Sequence, residues 1–599
     1  MSSAKIRGLS RTITIGLPLA GTLILAAAAA AFVTGGFDLP IGPIALSIHS
    51  AWRPLVAGGA CLAFLAAIRR GRSERSAELD RKTGRWFLAG AATFVVLVGM
   101  AQGSFVAAGA DASGYVSQSE LWSDGQLRVR QPLADRVSWP EREWTFSPLG
   151  FRPATVRSHM VPTYAPGLPL MMALARTFGG ESALYLVVPL SGVLLLVATY
   201  GLGVELGGAG AGILAVTLMA LSPTFLRMVV QPMSDVPAGA FWATALLLAW
   251  RARSSRGAVL AGMVAALAVT IRPNLVPLVA VVGTAVLVDG DRQTRFARAA
   301  AFALGLLPGP LAVALIQWHL YGSPLVSGYG QLGSMFDLAN IAPNMAHYGS
   351  WLLQYEWPIV CLGLVGAAAS FWPRPAHPTH PTHPTHPTHP THPTHLAHLA
   401  HLALTLFTLN LALYLAYIQF DEWSYLRFLL PGLAVLSACA AAVAARALAR
   451  LPGRLAPAAF AALICLAVLH GQHQAQALDV FGPKRDTHRY LQAATYVNQA
   501  VPKDAVLFCM EHSGSLRYYT HHTIVRYDFI ADRWLDRAVA QLQAIGRPVY
   551  FVVDDGEIYK LRERSAASTV GLLDWRPEMV IRAPGRVTIL RAPEVQSAK

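Results

Sequence analysis

The sequence predicts an α-helical polytopic membrane protein of about thirteen transmembrane helices, followed by a small soluble α/β domain at the C-terminal end. Three observations carry this reading. Of the 599 residues, 54% are apolar and only 14% are charged, against about 25% charged in an ordinary soluble chain. The apolar residues come in runs: 19–33, 94–108, 183–200 and 299–316 hold no acidic or basic residue. With their uncharged flanks these runs approach the ~20 residues that cross a ~30 Å hydrocarbon layer. The runs then stop, and residues 474–599 alternate short strand-like and helix-like segments.

Taken in order, the expected spans fall near 13–34, 48–68, 86–108, 183–204, 209–226, 236–250, 257–271, 274–288, 299–320, 356–372, 402–419, 429–445 and 455–473. Lys5, Arg7 and Arg11 before the first run resemble a signal peptide. The run is long, however, and lacks a small-residue cleavage site, so it is read as a retained span. The two spans around Arg272-Pro273-Asn274 are short for full crossings. One broken helix there would invert everything downstream, but two spans keep the loop charges consistent on both sides.

Loop charge sets the orientation. The alternate loops 1–12, 69–85, 251–256, 289–298, 373–401 and 446–454 hold twenty Lys and Arg; the opposite short loops and adjoining span ends hold Arg53, Arg227, Arg272 and Arg427. Basic residues near spans favour the cytoplasmic side. The N-terminus is therefore expected in the cytoplasm of a plasma (inner) membrane protein. Loops 109–182, 321–355 and 420–428 and the tail are expected outside. The 109–182 loop is balanced, with seven acidic and seven basic residues. The net charge of +15 thus serves topology, and no nucleic-acid partner is expected. Five cysteines, four of them in or beside spans, are too few for a disulfide framework.

His377 to His401 places nine histidines at every third position, mostly in Pro-Thr-His repeats. Proline at that period excludes a helix and favours polyproline II. The tract is read as a low-complexity linker in preference to a metal site, since nothing in it fixes a four-ligand geometry. In the tail, strands are expected at 506–510, 523–528 and 548–554, and helices at 486–500, 532–545 and 557–567. That is a small α/β domain with a partly parallel sheet and no Gly-rich phosphate loop. Asp554-Asp555 is read as a solvated strand end.

Acidic residues are absent from the middle of nearly every span. Burying a charge at the bilayer centre costs about 2.5–3.5 kcal/mol, a cost that ion-coupled carriers accept and this chain avoids. Its outward polar residues gather at span ends: Asp111, Asp235, Arg272, His319, Asp421, Glu422 and Arg427. The pattern points to a site at the outer surface of the membrane and away from a pore. Asp111, in Gly109-Ala110-Asp111-Ala112-Ser113-Gly114-Tyr115, directly follows the third span. A carboxylate fixed there is placed to act as a general base on a group at the interface; position alone favours an ordinary polar residue ending a helix.

Further segments surround it in sequence. They include Tyr164-Ala165-Pro166-Gly167-Leu168-Pro169-Leu170, Met233-Ser234-Asp235-Val236-Pro237, Ser327-Gly328-Tyr329-Gly330 and Trp423-Ser424-Tyr425-Leu426-Arg427-Phe428. In their order and common outward placement they resemble the GT-C superfamily of membrane glycosyltransferases. The likeness is to the bacterial branch related to protein mannosyltransferases and lipid A aminoarabinose transferases, over roughly 86–450. The resemblance implies a polyprenyl-phosphate-linked sugar donor and an acidic residue in the first large outer loop, where Asp111 stands. Many relatives carry two adjacent acids there, whereas this chain has Asp111-Ala112, and two extra spans precede the usual first one.

The transferase so implied is a hexosyl- or pentosyltransferase that inverts the sugar, with Asp111 as base. Arg427 and Arg272 would hold the leaving phosphate, because the arginine fork suits phosphate oxygens. Tyr115 and Tyr164 would line the sugar site, with His159 a weaker candidate. Asp235 would orient acceptor or sugar, or ligate a metal. No cofactor is expected, since no helix shows metal-ligand spacing, although a divalent ion stays open. The partners are the lipid bilayer, the lipid-linked donor and a glycan, lipid or protein acceptor. A lipid-linked glycan ligase or polymerase and a flippase or transporter are the competing readings. The chain divides accordingly into a two-span extension with its cytoplasmic loop at 1–85, a GT-C-like catalytic region at 86–473 and an extracytoplasmic domain at 474–599. The last is expected to act in acceptor use.

Overall fold

A computed structural model describes residues 21–41, 44–49, 51, 76–288, 291–368, 393–452, 455–566 and 568–595. The start of the first expected span, nearly all of the second and most of the histidine tract lie outside the described residues.

Among the described residues six helices are long and apolar enough to cross a membrane, or seven if the bent pair Leu338–Tyr355 and Trp357–Ala368 is one span. Thirteen separate crossings are not distinguished, and the reasons are local. The expected spans 183–204 and 209–226 occur as two helical segments within the apolar stretch Glu181–Ala220, parted where Gly207 and Gly208 leave helical dihedrals. The expected pair around Arg272 occurs as two short helices, Ser255–Ile271 and Leu278–Leu287, parted by a 3-10 turn at Pro273–Leu275. Proline cannot donate to the preceding turn, so the helix ends at Arg272. Trp423–Leu448 is the central span, with 83% of its apolar window buried; Leu455–Ala500, at 6%, lies on the periphery. The central helix is rich in Ala and Leu, and small residues let neighbouring backbones approach closely where lipid supplies no hydrophobic drive between helices.

One expectation for the histidine tract is corrected. The helix Pro393–Leu415 includes His395, His398 and His401, because no proline follows Pro393 to interrupt the backbone hydrogen bonds.

The third expected span also ends early, at Gln102. Gly109, with φ +59°, turns the chain, and Asp111 opens a new helix, Asp111–Ser123. Asp111 therefore begins a helix and does not end one, a position where the helix dipole favours a carboxylate. The rest of the outer loop forms a three-stranded antiparallel sheet, in the order Val129–Arg130, His159–Pro162, Phe151–Pro153, and the helix Gly167–Gly179.

The tail is a five-stranded mixed sheet. Val506–Phe508 pairs in parallel with Thr523–Val525 and Val549–Asp554, as expected. Two further strands, Met579–Arg582 and Arg586–Arg591, extend it antiparallel. Three expected helices occur as His488–Ala500, Asp532–Ala544 and Asp555–Arg564. The tail shares its core with the outer loop: Leu133, Val137, Trp139 and Phe146 pack in one cluster with Val525, Leu535, Val549 and Leu590. A backbone bond crosses the same boundary, from Arg526 N to Thr145 O at 2.7 Å, and just ahead of the loop Ala107 N donates to the Tyr519 phenol oxygen of the tail at 2.8 Å.

Candidate active site

At the outer-loop end of the bundle a cavity of about 270 Å³ opens, lined by Asp111, Tyr115, Tyr164, Ser234, Arg272 and Arg427 among others. They come from five different parts of the fold. Asp111 and Tyr115 stand one turn apart on the Asp111–Ser123 helix. Tyr164 lies between a strand and the Gly167–Gly179 helix. Ser234 caps the Asp235–Arg251 helix, Arg272 ends the Ser255–Ile271 helix, and Arg427 sits in the 3-10 turn Trp423–Leu429.

Two acids and two arginines alternate through the site. Arg427 Nη2 is 3.0 Å from Asp111 Oδ2, Arg427 Nε is 3.9 Å from Asp235 Oδ1, and Arg272 Nη2 is 2.6 Å from the same oxygen. The two acids differ in access. The Asp111 side chain is 34% exposed, whereas Asp235 is 1% exposed and lies behind the cavity wall. Asp111 Oδ1 accepts from the Tyr164 hydroxyl at 2.8 Å. Burial, then the Asp111 charge, pushes the Tyr164 phenol well above its ordinary range, so it stays a hydroxyl donor.

Arg272 is fully engaged. Its Nε donates to Ser234 Oγ at 3.1 Å and its Nη1 to Tyr414 Oη at 3.0 Å. Asn274 Nδ2 donates to the same Tyr414 oxygen at 2.9 Å, and the Tyr115 hydroxyl to Ser234 Oγ at 2.8 Å. Arg427 is less committed: its Nε is buried without a hydrogen-bond partner. Its guanidinium lies 4.7 Å from the Tyr425 ring centre and 5.1 Å from that of Phe428, which hold it by cation–π attraction.

Asp111, Tyr115, Tyr164, Arg272, Arg427 and, one layer behind, Asp235 are thus brought together. His159 is not. It stands at the start of an outer-loop strand, its Nδ1 2.9 Å from Arg157 O, and takes no part in the cavity lining. Strand alternation and pairing with Arg130 fix it there. Among the described residues no group of three or more His, Cys, Asp or Glu could hold a metal ion.

Several lining residues escaped the sequence reading. Tyr329 and Phe428 stood inside motifs already noted and Asn274 in the Arg272-Pro273-Asn274 break, but Tyr414 and Tyr417 read only as parts of an apolar span or its end. The wall is strongly aromatic: Tyr115 and Tyr164 have ring centres 4.4 Å apart, and Tyr164 meets Tyr329 edge-on at 5.9 Å.

A helical bundle thus carries an acid- and arginine-lined cavity at one end and is joined to a mixed α/β sheet domain. Residues 163–318 match the family described as dolichyl-phosphate-mannose-protein mannosyltransferase. The fold is similar to that of ArnT from Cupriavidus metallidurans bound to undecaprenyl phosphate, with TM-score 0.52 and 13% identity over 84% of this chain and 97% of that one. The apo form of ArnT gives TM-score 0.52 and 12% identity over 86% and 98%. An oligosaccharyltransferase from Archaeoglobus fulgidus tethered with an acceptor peptide gives 0.49 and 14% over 83% and 72%. No curated protein matches the sequence. By fold the chain is thus similar to the two ArnT structures: a multi-pass helical membrane bundle with a C-terminal α/β sheet domain.

Proposed function

We propose that this protein transfers a sugar from a polyprenyl-phosphate-linked donor to an acceptor hydroxyl on the extracytoplasmic face of the membrane. The observation that carries the proposal is the partly exposed Asp111 carboxylate beside Arg427, in a cavity at a membrane-span end. Asp111 takes the proton as the acceptor oxygen bonds to the anomeric carbon. The bond from that carbon to the phosphate oxygen breaks, and the lipid phosphate leaves with the electron pair. Attack opposite the leaving group inverts the sugar. A positioned base contributes about 10²–10⁴-fold to such a step.

The leaving phosphate needs its charge held. Arg427 suits this, with a buried Nε that has no hydrogen-bond partner. Arg272 is occupied with Asp235, Ser234 and Tyr414, so its role is to fix the wall behind the site. The undecaprenyl phosphate bound in the ArnT structure is of the carrier class this reading requires. The acceptor is a glycan, a lipid or a protein.

The test incubates purified protein with a panel of polyprenyl-phosphate sugars and follows released polyprenyl phosphate. Release that depends on both one sugar donor and an acceptor supports the reading; no release with any donor defeats it.

A further inference from the structure

We propose that Arg152 is a positioning residue whose task is to hold Tyr329 over the sugar moiety of the donor. The inference rests on the transferase reading and deepens it. Arg152 lies on the Phe151–Pro153 strand of the outer loop, outside the ring of acids and arginines. Its Nη1 donates to two successive carbonyls, Ser327 O at 2.9 Å and Gly328 O at 3.1 Å. Those carbonyls belong to the tight turn of the small hairpin formed by Val326–Ser327 and Gly330–Gln331. Two rings flank the guanidinium, Tyr321 at 5.4 Å and Trp144 at 5.7 Å from their centres. The arginine is therefore itself fixed and does not wave over a surface.

The hairpin is held on its other side by backbone contact. A Cβ on Gly328 would overlap the Thr163 carbonyl group, so only glycine allows this approach. Thr163 immediately precedes Tyr164. Stapled in this way, the turn delivers Tyr329 to the cavity, edge-on to Tyr164, whose hydroxyl bonds Asp111. A half-exposed tyrosine ring at the mouth of an aromatic cavity offers a face to the apolar side of a sugar ring, while its hydroxyl meets the sugar's own. It has no counterpart task toward the lipid phosphate, which Arg427 serves. The pair should thus govern binding of the sugar and leave the base and the phosphate site alone.

Donor KM and kcat are to be measured for the wild type, Arg152→Lys, Tyr329→Ala and the double variant, alongside binding of sugar-free polyprenyl phosphate. Each single variant is expected to raise donor KM about tenfold, the order of one aromatic contact, with kcat held within about twofold. Binding of the sugar-free lipid is expected to be unchanged. The double variant should match Tyr329→Ala, because Arg152 acts only through Tyr329. Additive losses, a fall confined to kcat, or equal weakening of the sugar-free lipid overturns the proposal.

If Arg152→Lys fails to fold, Trp144→Leu, which removes one flanking ring outside the cavity, is the second probe. It should raise KM in the same direction, and an unchanged KM there also overturns the proposal. Transfer by the wild type with normal KM in these variants sinks this inference alone. No transfer by the wild type with any donor removes the transferase reading as well.

Discussion

Arg427 touches Asp111 through one 3.0 Å contact, Nη2 to Oδ2, while its buried Nε faces Asp235 at 3.9 Å and finds no hydrogen-bond partner. The catalytic candidate and the phosphate candidate are therefore joined before any donor arrives. A donor phosphate that engages Arg427 competes directly with Asp111, so donor binding and release of the base become one event.

The first expected outcome follows from the roles of the two groups. Asp111→Asn keeps the shape and removes the proton acceptor. Transfer should fall by about 10²–10⁴-fold, with normal membrane insertion and with polyprenyl-phosphate binding retained. Undiminished transfer in a product assay takes Asp111 out of the mechanism.

Arg427→Lys keeps the charge and loses the fork. A hydrogen bond to a charged group is worth about 1.5–3 kcal/mol. Donor affinity should therefore drop by roughly ten- to a hundredfold, read as KM and as direct binding of polyprenyl phosphate. Unaltered binding would move the phosphate elsewhere.

Arg272 is expected to matter for stability before chemistry. Arg272→Ala removes the 2.6 Å partner of Asp235, 1% exposed, and leaves that buried charge only the longer 3.9 Å contact to Arg427. Breaking a buried pair from one side costs about 3–5 kcal/mol. Thermal unfolding in detergent should show a clear drop, and adding Asp235→Asn should recover much of it. Equal Tm for wild type and Arg272→Ala would contradict the geometry.

Glu120 supplies a pH dependence. Burial, opposed by Arg176 at 3.5 Å, raises its carboxyl above the ordinary range. A raised carboxyl means that the folded protein binds the proton more tightly than the unfolded chain. Its stability contribution is full below the ordinary carboxylate pKa and is lost as pH rises through the folded value. Thermal stability should decline slightly over that window, by no more than about 1 kcal/mol, and Glu120→Gln should flatten the profile. A wild-type curve that climbs across the same range is the contrary result.

Gly514 tests the contact between tail and catalytic loop. A Cβ there would overlap Ser113 Oγ, two residues past Asp111. Gly514→Val should displace the Asp111 helix and lower kcat by about ten- to a hundredfold, the scale of a misplacement near 1 Å. Binding of polyprenyl phosphate should persist, and a change confined to acceptor KM would return the tail to acceptor handling alone.

The sequence disclosed the charged part of the site because acids and arginines are rare among apolar runs. Asp111, Asp235, Arg272 and Arg427 stood out at span ends, and the structure brings them within one chain of contacts. His159 misled because polar residues are ordinary in a long outer loop. Tyr414, stacked on Phe428 with ring centres 4.6 Å apart, was hidden for the opposite reason, since an aromatic ring in an apolar run reads as core. Among the spans, the division between 183–204 and 209–226 was legible, and Gly207-Gly208 supplies the break there. In the tail the final hairpin was missed: its strands are rimmed by Arg582, Arg586 and Arg591, which mask the pattern, although Pro584-Gly585 marked the turn.

The apolar cluster that unites Trp139 and Phe146 with Leu535 and Leu590 has a consequence for biogenesis. Its two halves are separated by most of the polypeptide, so the early half waits at the membrane surface until the ribosome has delivered the last strand. A chain truncated late in translation keeps every bundle helix yet leaves those aromatic side chains bare, and quality-control proteases would meet it before a substrate does.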